Sequence, residues 1–175
     1  TAWPQDPVGR HLLLAQAELV ANPEAVLSHQ SAALAWRLPN PSATRWSELP
    51  VSVTLPTDGH SSRVRTAVHH VGPLPPDQLV LGGDGHAMTT PARTAVDLAV
   101  GLELPRALVL LDSAARRACQ GFIASPRRRD LANPRLRQAA QELLQAAATT
   151  RGIARLDRAI GLADPLRESA AESIS

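Results

Sequence analysis

Val51-Ser52-Val53-Thr54-Leu55 alternates apolar with polar residues, the period of a strand with one buried face. Elsewhere apolar residues recur at helical spacing. Asp6-Pro7 supplies a cap and a first-turn proline for a helix through His11–Val20, which Asn22-Pro23 ends. Ala25-Val26-Leu27 is a short apolar segment. Ser28 then caps a helix from Gln30 to about Leu38, with Trp36 facing the core and Pro39 as the stop. Pro41 to Pro50 reads as a loop holding Trp46.

After the strand, Asp58-Gly59 with Ser61-Ser62 predicts a turn. Residues 63–71 read as the returning strand, with Arg63 and Arg65 on one face. Pro73, Pro75 and Pro76 impose an extended loop. Leu79-Val80-Leu81 and His86-Ala87-Met88 flank a Gly82-Gly83-Asp84-Gly85 hairpin turn. Thr90 caps the next helix and Pro91 suits its first position. Ala92, Ala95, Val96 and Ala99 form its apolar face, and Arg93 and Asp97, four apart, pair on one side.

The C-terminal part reads as helical. Leu104 to about Cys119 buries Ala107, Leu108, Leu111, Ala114 and Ala115, and Arg116 and Arg117 suit the negative end of its dipole. Asp112 reads as an Arg-paired surface residue, with a buried functional acid as the alternative. Asn133-Pro134 caps a helix to about Ala148 with a Leu136, Ala140, Leu143, Leu144 stripe. Thr149-Thr150 opens a further helix through Ile153, Leu156, Ile160 and Leu162, which Pro165 breaks. A last helix opens at Glu168. The expected fold is α+β: a small, mostly antiparallel sheet of four to five strands covered by helices, with a helical C-terminal arm. The expected division is residues 1–123 and 124–175.

The chain has 175 residues, which fits one domain with an appendage. Trp3, Trp36, Trp46 and Phe122 are its aromatic residues, so Leu, Ala and Val must fill the core. Cys119 is the lone cysteine, which excludes an internal disulfide and a cysteine-rich zinc site. With no signal-like or membrane-spanning apolar run, a cytoplasmic protein is expected. With Thr1 as its first residue, the chain is expected to be a fragment, a processed form or a trimmed form. All 18 basic residues are Arg. Residues 1–100 carry six Arg and eight acids, a charge of −2. Residues 101–175 carry twelve Arg and eight acids, +4. Within 106–137, eight Arg face only Asp112 and Asp130, +6, which favours an anionic partner.

The pattern Thr-x-Pro-Ala-Arg-Thr-x-x-Asp-Leu-Ala over Thr89–Ala99 resembles the signature of a large actinobacterial family similar to AbiEi-type abortive-infection antitoxins. Ser28-His29-Gln30-Ser31-Ala32-Ala33, the strand Val51–Pro56, and Arg151-Gly152 through Ala163-Asp164-Pro165 carry the same resemblance. It implies a middle domain between an N-terminal winged helix and, often, an endonuclease-like domain similar to very-short-patch repair enzymes. Glu172 matches the first acidic position of such a nuclease domain. Its later Asp and Glu/Gln-x-Lys positions are absent, and the chain has no Lys.

No catalytic constellation emerges, and no cofactor or metal is expected. His69, His70, Asp84 and His86 suggest a metal cluster, but neighbouring strand residues point to opposite faces. The Gly-rich turn lacks the Lys-Ser/Thr ending and following helix of a phosphate loop. His29 reads as a capping and packing residue. Arg127, Arg128, Arg129, Arg135 and Arg137 could neutralise phosphates, extended by Arg63 and Arg65. The expected function is a non-catalytic domain of an antitoxin-like transcriptional regulator that binds DNA and a toxin partner. The alternatives are the targeting domain of a nuclease whose catalytic part lies elsewhere, and a self-associating scaffold.

Overall fold

The computed structural model describes residues 3–56, 60–123, 127–151 and 156–167, without the side chain of Arg128. The expected Asp58-Gly59 turn, Ser125-Pro126, Ile153, the helix at Glu168 and Glu172 lie outside the described residues.

The fold is α+β, as expected. Two compact units divide the chain at Thr90–Pro91: a sheet unit (1–37, 42–90) and a helical unit (38–41, 91–175). The expected cut at 123/124 placed α3 (Pro91–Ala99) and α4 (Leu104–Phe122) with the sheet. Both instead pack on α6 (Pro134–Thr150).

In the sheet unit, Asp6 caps α1 (Pro7–Ala21), accepting a hydrogen bond from Gly9 N at 2.7 Å. α2 (His29–Trp36) ends at Arg37, whose φ of 54° is left-handed, ahead of Pro39. Among the described residues the sheet has six strands rather than four or five: β1 (Val26–Leu27), β2 (Val51–Leu55), β3 (Ser62–Arg63), β4 (Ala67–Val71), β5 (Leu79–Leu81) and β6 (Ala87–Thr89). Their order is β3-β4-β2-β1-β6-β5. Three pairings are antiparallel. The pairs β1–β6 and β2–β4 are parallel, so the sheet is mixed.

The strand expected over 63–71 is two strands. Arg65 and Thr66 form the tip of a hairpin closed by Val64 N donating to Ala67 O at 2.8 Å. β4 then lies parallel to β2 with Val53 opposite His69. The short polar β3 takes the edge, where charged residues are best tolerated. Arg65 thus sits in the bend, and strand alternation no longer places it on a face with Arg63. The core joins Ala15 and Leu19 of α1, Leu27, Ala32, and Val51 and Val53, which α1 and α2 cover. Trp46 is buried in a short 3-10 turn, and Trp36 packs on this core while donating Nε1–H to Thr89 O at 2.8 Å.

In the helical unit, α4 runs three residues past its expected end. α6 continues through Thr150, so Thr149-Thr150 does not open the next helix. That helix, α7, spans Asp157–Leu162. A short α5 spans Arg128–Leu131. The buried stripe of α6 is Leu136, Ala140, Leu144 and Ala147, whereas the expected Leu143 is 40% exposed. Among the described residues no helix is long and apolar enough to cross a membrane.

Candidate functional site

Three polar features of the helical unit compete for the role of a site, and two of them are spent on packing. The first is the Arg93–Asp97 pair of α3. It forms as its spacing predicts, but inside: Arg93 Nε donates to Asp97 Oδ1 and Oδ2 at 3.1 and 3.0 Å, with side-chain exposures of 1% and 0%. Arg151, at the end of α6, brings Nε to 2.9 Å from Asp97 Oδ1. Burial pushes the Asp97 carboxyl above its ordinary range, opposed by Arg93 and Arg151. The three charges fasten α3 to α6.

The second feature corrects the expectation for Asp112. It pairs with arginine, but its side chain is buried. Asp112 Oδ1 accepts from Asp164 N at 2.7 Å, and Arg167 Nη1 stands 3.8 Å from Oδ2. Asp164 in turn accepts from Arg137 Nη2 at 3.0 Å. Burial raises the Asp112 carboxyl above its ordinary range, against the Asp164 N–H and Arg167. This cluster stitches α4 and α6 to the segment after α7. Arg137, expected to face an anionic partner, is consumed by it.

The third feature is the basic segment. Arg127, Arg129 and Arg135 are exposed, Arg129 by 76%. Asp130 is the nearest acid to Arg129, at 3.8 Å, and its Oδ2 already accepts from Arg127 N at 2.8 Å. Asn133 caps α6 by accepting from Arg135 N at 3.0 Å, so Arg135 lies in the first turn of the 17-residue helix. The partial positive charge of that helix end adds to the guanidinium groups. Arg63 and Arg65 are also exposed but belong to the sheet unit. The helical unit carries thirteen Arg and nine acids, +4. The sheet unit carries five Arg and seven acids, −2.

In the sheet unit, the signature serines are buried connectors. Ser28 sits at the N-cap of α2, but its side chain makes no capping bond. It accepts from Thr54 Oγ1 at 2.8 Å and lies 3.0 Å from His29 Nδ1. Ser31 Oγ accepts from Ser52 N at 2.8 Å and lies 2.7 Å from His11 Nε2. His29 has a left-handed φ of 48°, and its ring stacks on His70 with centroids 3.6 Å apart.

His69 and His70 are engaged separately from each other and from Asp84 and His86. His69 Nε2 lies 2.7 Å from Glu18 Oε1, and its Nδ1 lies 2.8 Å from Ser62 Oγ. His70 stacks on His29, while Asp84 and His86 stand at the β5–β6 turn. Among the described residues no three His, Cys, Asp or Glu groups converge as metal ligands. Gln16, Glu18 and His11 belong to no motif. Their signal in the sequence is polarity on the inward side of α1.

No family model, curated protein or solved structure matches this chain.

Proposed function

We propose that this chain is a non-catalytic domain of a cytoplasmic, antitoxin-like transcriptional regulator, which contacts DNA through the basic segment of its helical unit. The observation that carries the reading is the exposed set Arg127, Arg129 and Arg135 beside the N-terminus of α6, with only Asp130 among them. Arginines held in water beside a positive helix end attract phosphates and release the counterions condensed on them. Such contacts position a protein on the duplex without reading bases. Base readout then falls to another element, for which the family resemblance suggests a winged helix, and a toxin would bind as protein partner.

The test is duplex binding across a salt series, followed by fluorescence anisotropy, for the wild type and an Arg127→Ala/Arg129→Ala/Arg135→Ala variant. Each lost phosphate contact lowers the magnitude of the log–log salt slope by about 0.9. A loss of two to three such steps is expected, with Arg63→Ala/Arg65→Ala unchanged. An unaltered slope in the triple variant refutes the reading.

A further inference from the structure

The sheet unit contains a cleft of about 350 Å³ between α1, α2 and the β5–β6 turn. Its volume lies in the range of small-ligand sites, about 300 to 1,000 Å³. Leu12, Ala15 and Leu19 of α1 line one side, and Leu27, Ala35 and Met88 line the rest of the apolar wall. One end is polar, formed by Gln16, Asp84 and His86.

The turn holds Asp84 firmly at that end. Asp84 Oδ2 accepts from Gln16 Nε2 at 3.0 Å, and Oδ1 accepts from His86 N at 3.2 Å. A carboxylate offers about four lone-pair positions, so these bonds leave acceptor capacity unused. His86 Nδ1 faces the same carboxylate, 3.4 Å from Oδ2. Gly82 leaves the room this needs, because a Cβ there would stand 2.8 Å from Asp84 Oδ1. Gly85 closes the turn with a φ of +82° that side-chain-bearing residues resist. Burial works against the charge on Asp84, but hydrogen bonds from Gln16 and His86 outweigh it and hold the carboxyl below its ordinary range.

We propose that this cleft is a binding site for a small organic cation, a primary amine on a short hydrocarbon body. The ammonium sits on Asp84 and the hydrocarbon lies against Leu12, Leu19 and Met88. An acceptor-only anion at the end of an apolar trough selects a donor head on a greasy tail. Organic anions are repelled by Asp84, and among the described residues no three His, Cys, Asp or Glu groups gather here to hold a metal ion. The site rests on the sheet unit alone and stands or falls separately from DNA contact.

The test is NMR titration of the whole chain, reading the Met88 methyl and the leucine methyls, with n-hexylamine, n-hexanol and hexanoate. Affinity on the order of millimolar is expected for hexylamine, given its few heavy atoms. It should exceed both analogues. Asp84→Asn should weaken the amine by roughly tenfold, the loss of a charge-assisted contact, and leave hexanol unchanged. Gly82→Ala, which crowds the same carboxylate, should do likewise, and Ala35→Leu should weaken both by filling the trough. Absence of saturable shifts, equal binding of hexanoate, or indifference to Asp84→Asn overturns the proposal.

Discussion

Asp97 is the buried carboxylate that joins α3 to the end of α6. Its carboxylate lies between Arg93 and Arg151, and Arg93 is itself buried. Asp97→Asn preserves shape but takes the negative charge of Asp97 away from a buried guanidinium. Loss of one partner of a buried pair costs about 3–5 kcal/mol, and urea unfolding should show a drop of that order. His11 makes the complementary case. Burial lowers its pKa, against hydrogen bonds to the Ser47 and Leu49 carbonyls. Its folded pKa therefore lies below the unfolded value of about 6.5, and between the two the unfolded chain binds more protons. The stability is fully present above about pH 6.5 and is lost as pH falls through the folded value. Asp97 and Asp112 are raised, so they act oppositely, adding stability on acidification toward the ordinary carboxylate range. Urea midpoints from pH 8 downward should decline first through His11, and His11→Gln should remove that decline. The i, i+4 spacing made the Arg93–Asp97 pair legible in the sequence. Its burial was not, because Arg151, which completes it, stands on another helix.

At the scale of elements, α4 concentrates the unit's packing. Leu110, Leu111, Ala114, Ala115 and Cys119 are all wholly buried along one side. Burial pushes the Cys119 thiol above its ordinary pKa, partly opposed by Arg116. A buried, protonated thiol is a poor nucleophile, so Ellman's reagent should modify Cys119 only when α4 opens away from its packing. Leu110→Ala should cost about 2–5 kcal/mol and raise that modification rate correspondingly. Equal rates in the native and urea-unfolded wild type would refute the burial. Helix starts were legible because Asp6, Pro91 and Asn133-Pro134 carry capping chemistry. The β3–β4 hairpin was not, since its Arg65-Thr66 tip has no Gly, Asn or Pro to signal a turn, and a two-residue strand is too short to show alternation. The parallel pairing of β2 and β4 followed from that missed bend.

Over the whole molecule the charge asymmetry read from the sequence resolves into a negative sheet unit and a positive helical one. Composition made that split legible, while only the structure separates arginines that stay exposed from arginines that brace. Arg129 and Arg137 illustrate the distinction within one basic run. Arg129 is 76% exposed, and its nearest acid lies 3.8 Å away. Arg137 is half as exposed, at 38%, and bonds Asp164 at 3.0 Å, which continues to the buried Asp112. If the exposed set contacts phosphates, Arg129→Ala lowers DNA affinity and flattens its salt dependence while leaving the urea midpoint in place. Arg137→Ala should do the reverse, reducing stability by up to about 1 kcal/mol, as for a partly exposed pair, with little change in salt slope. Measured side by side, the two variants separate a weakened fold from a lost contact. Equal effects of both on the salt slope would mean that the run acts only through its total charge, and the assignment of the interface to Arg127, Arg129 and Arg135 would fail.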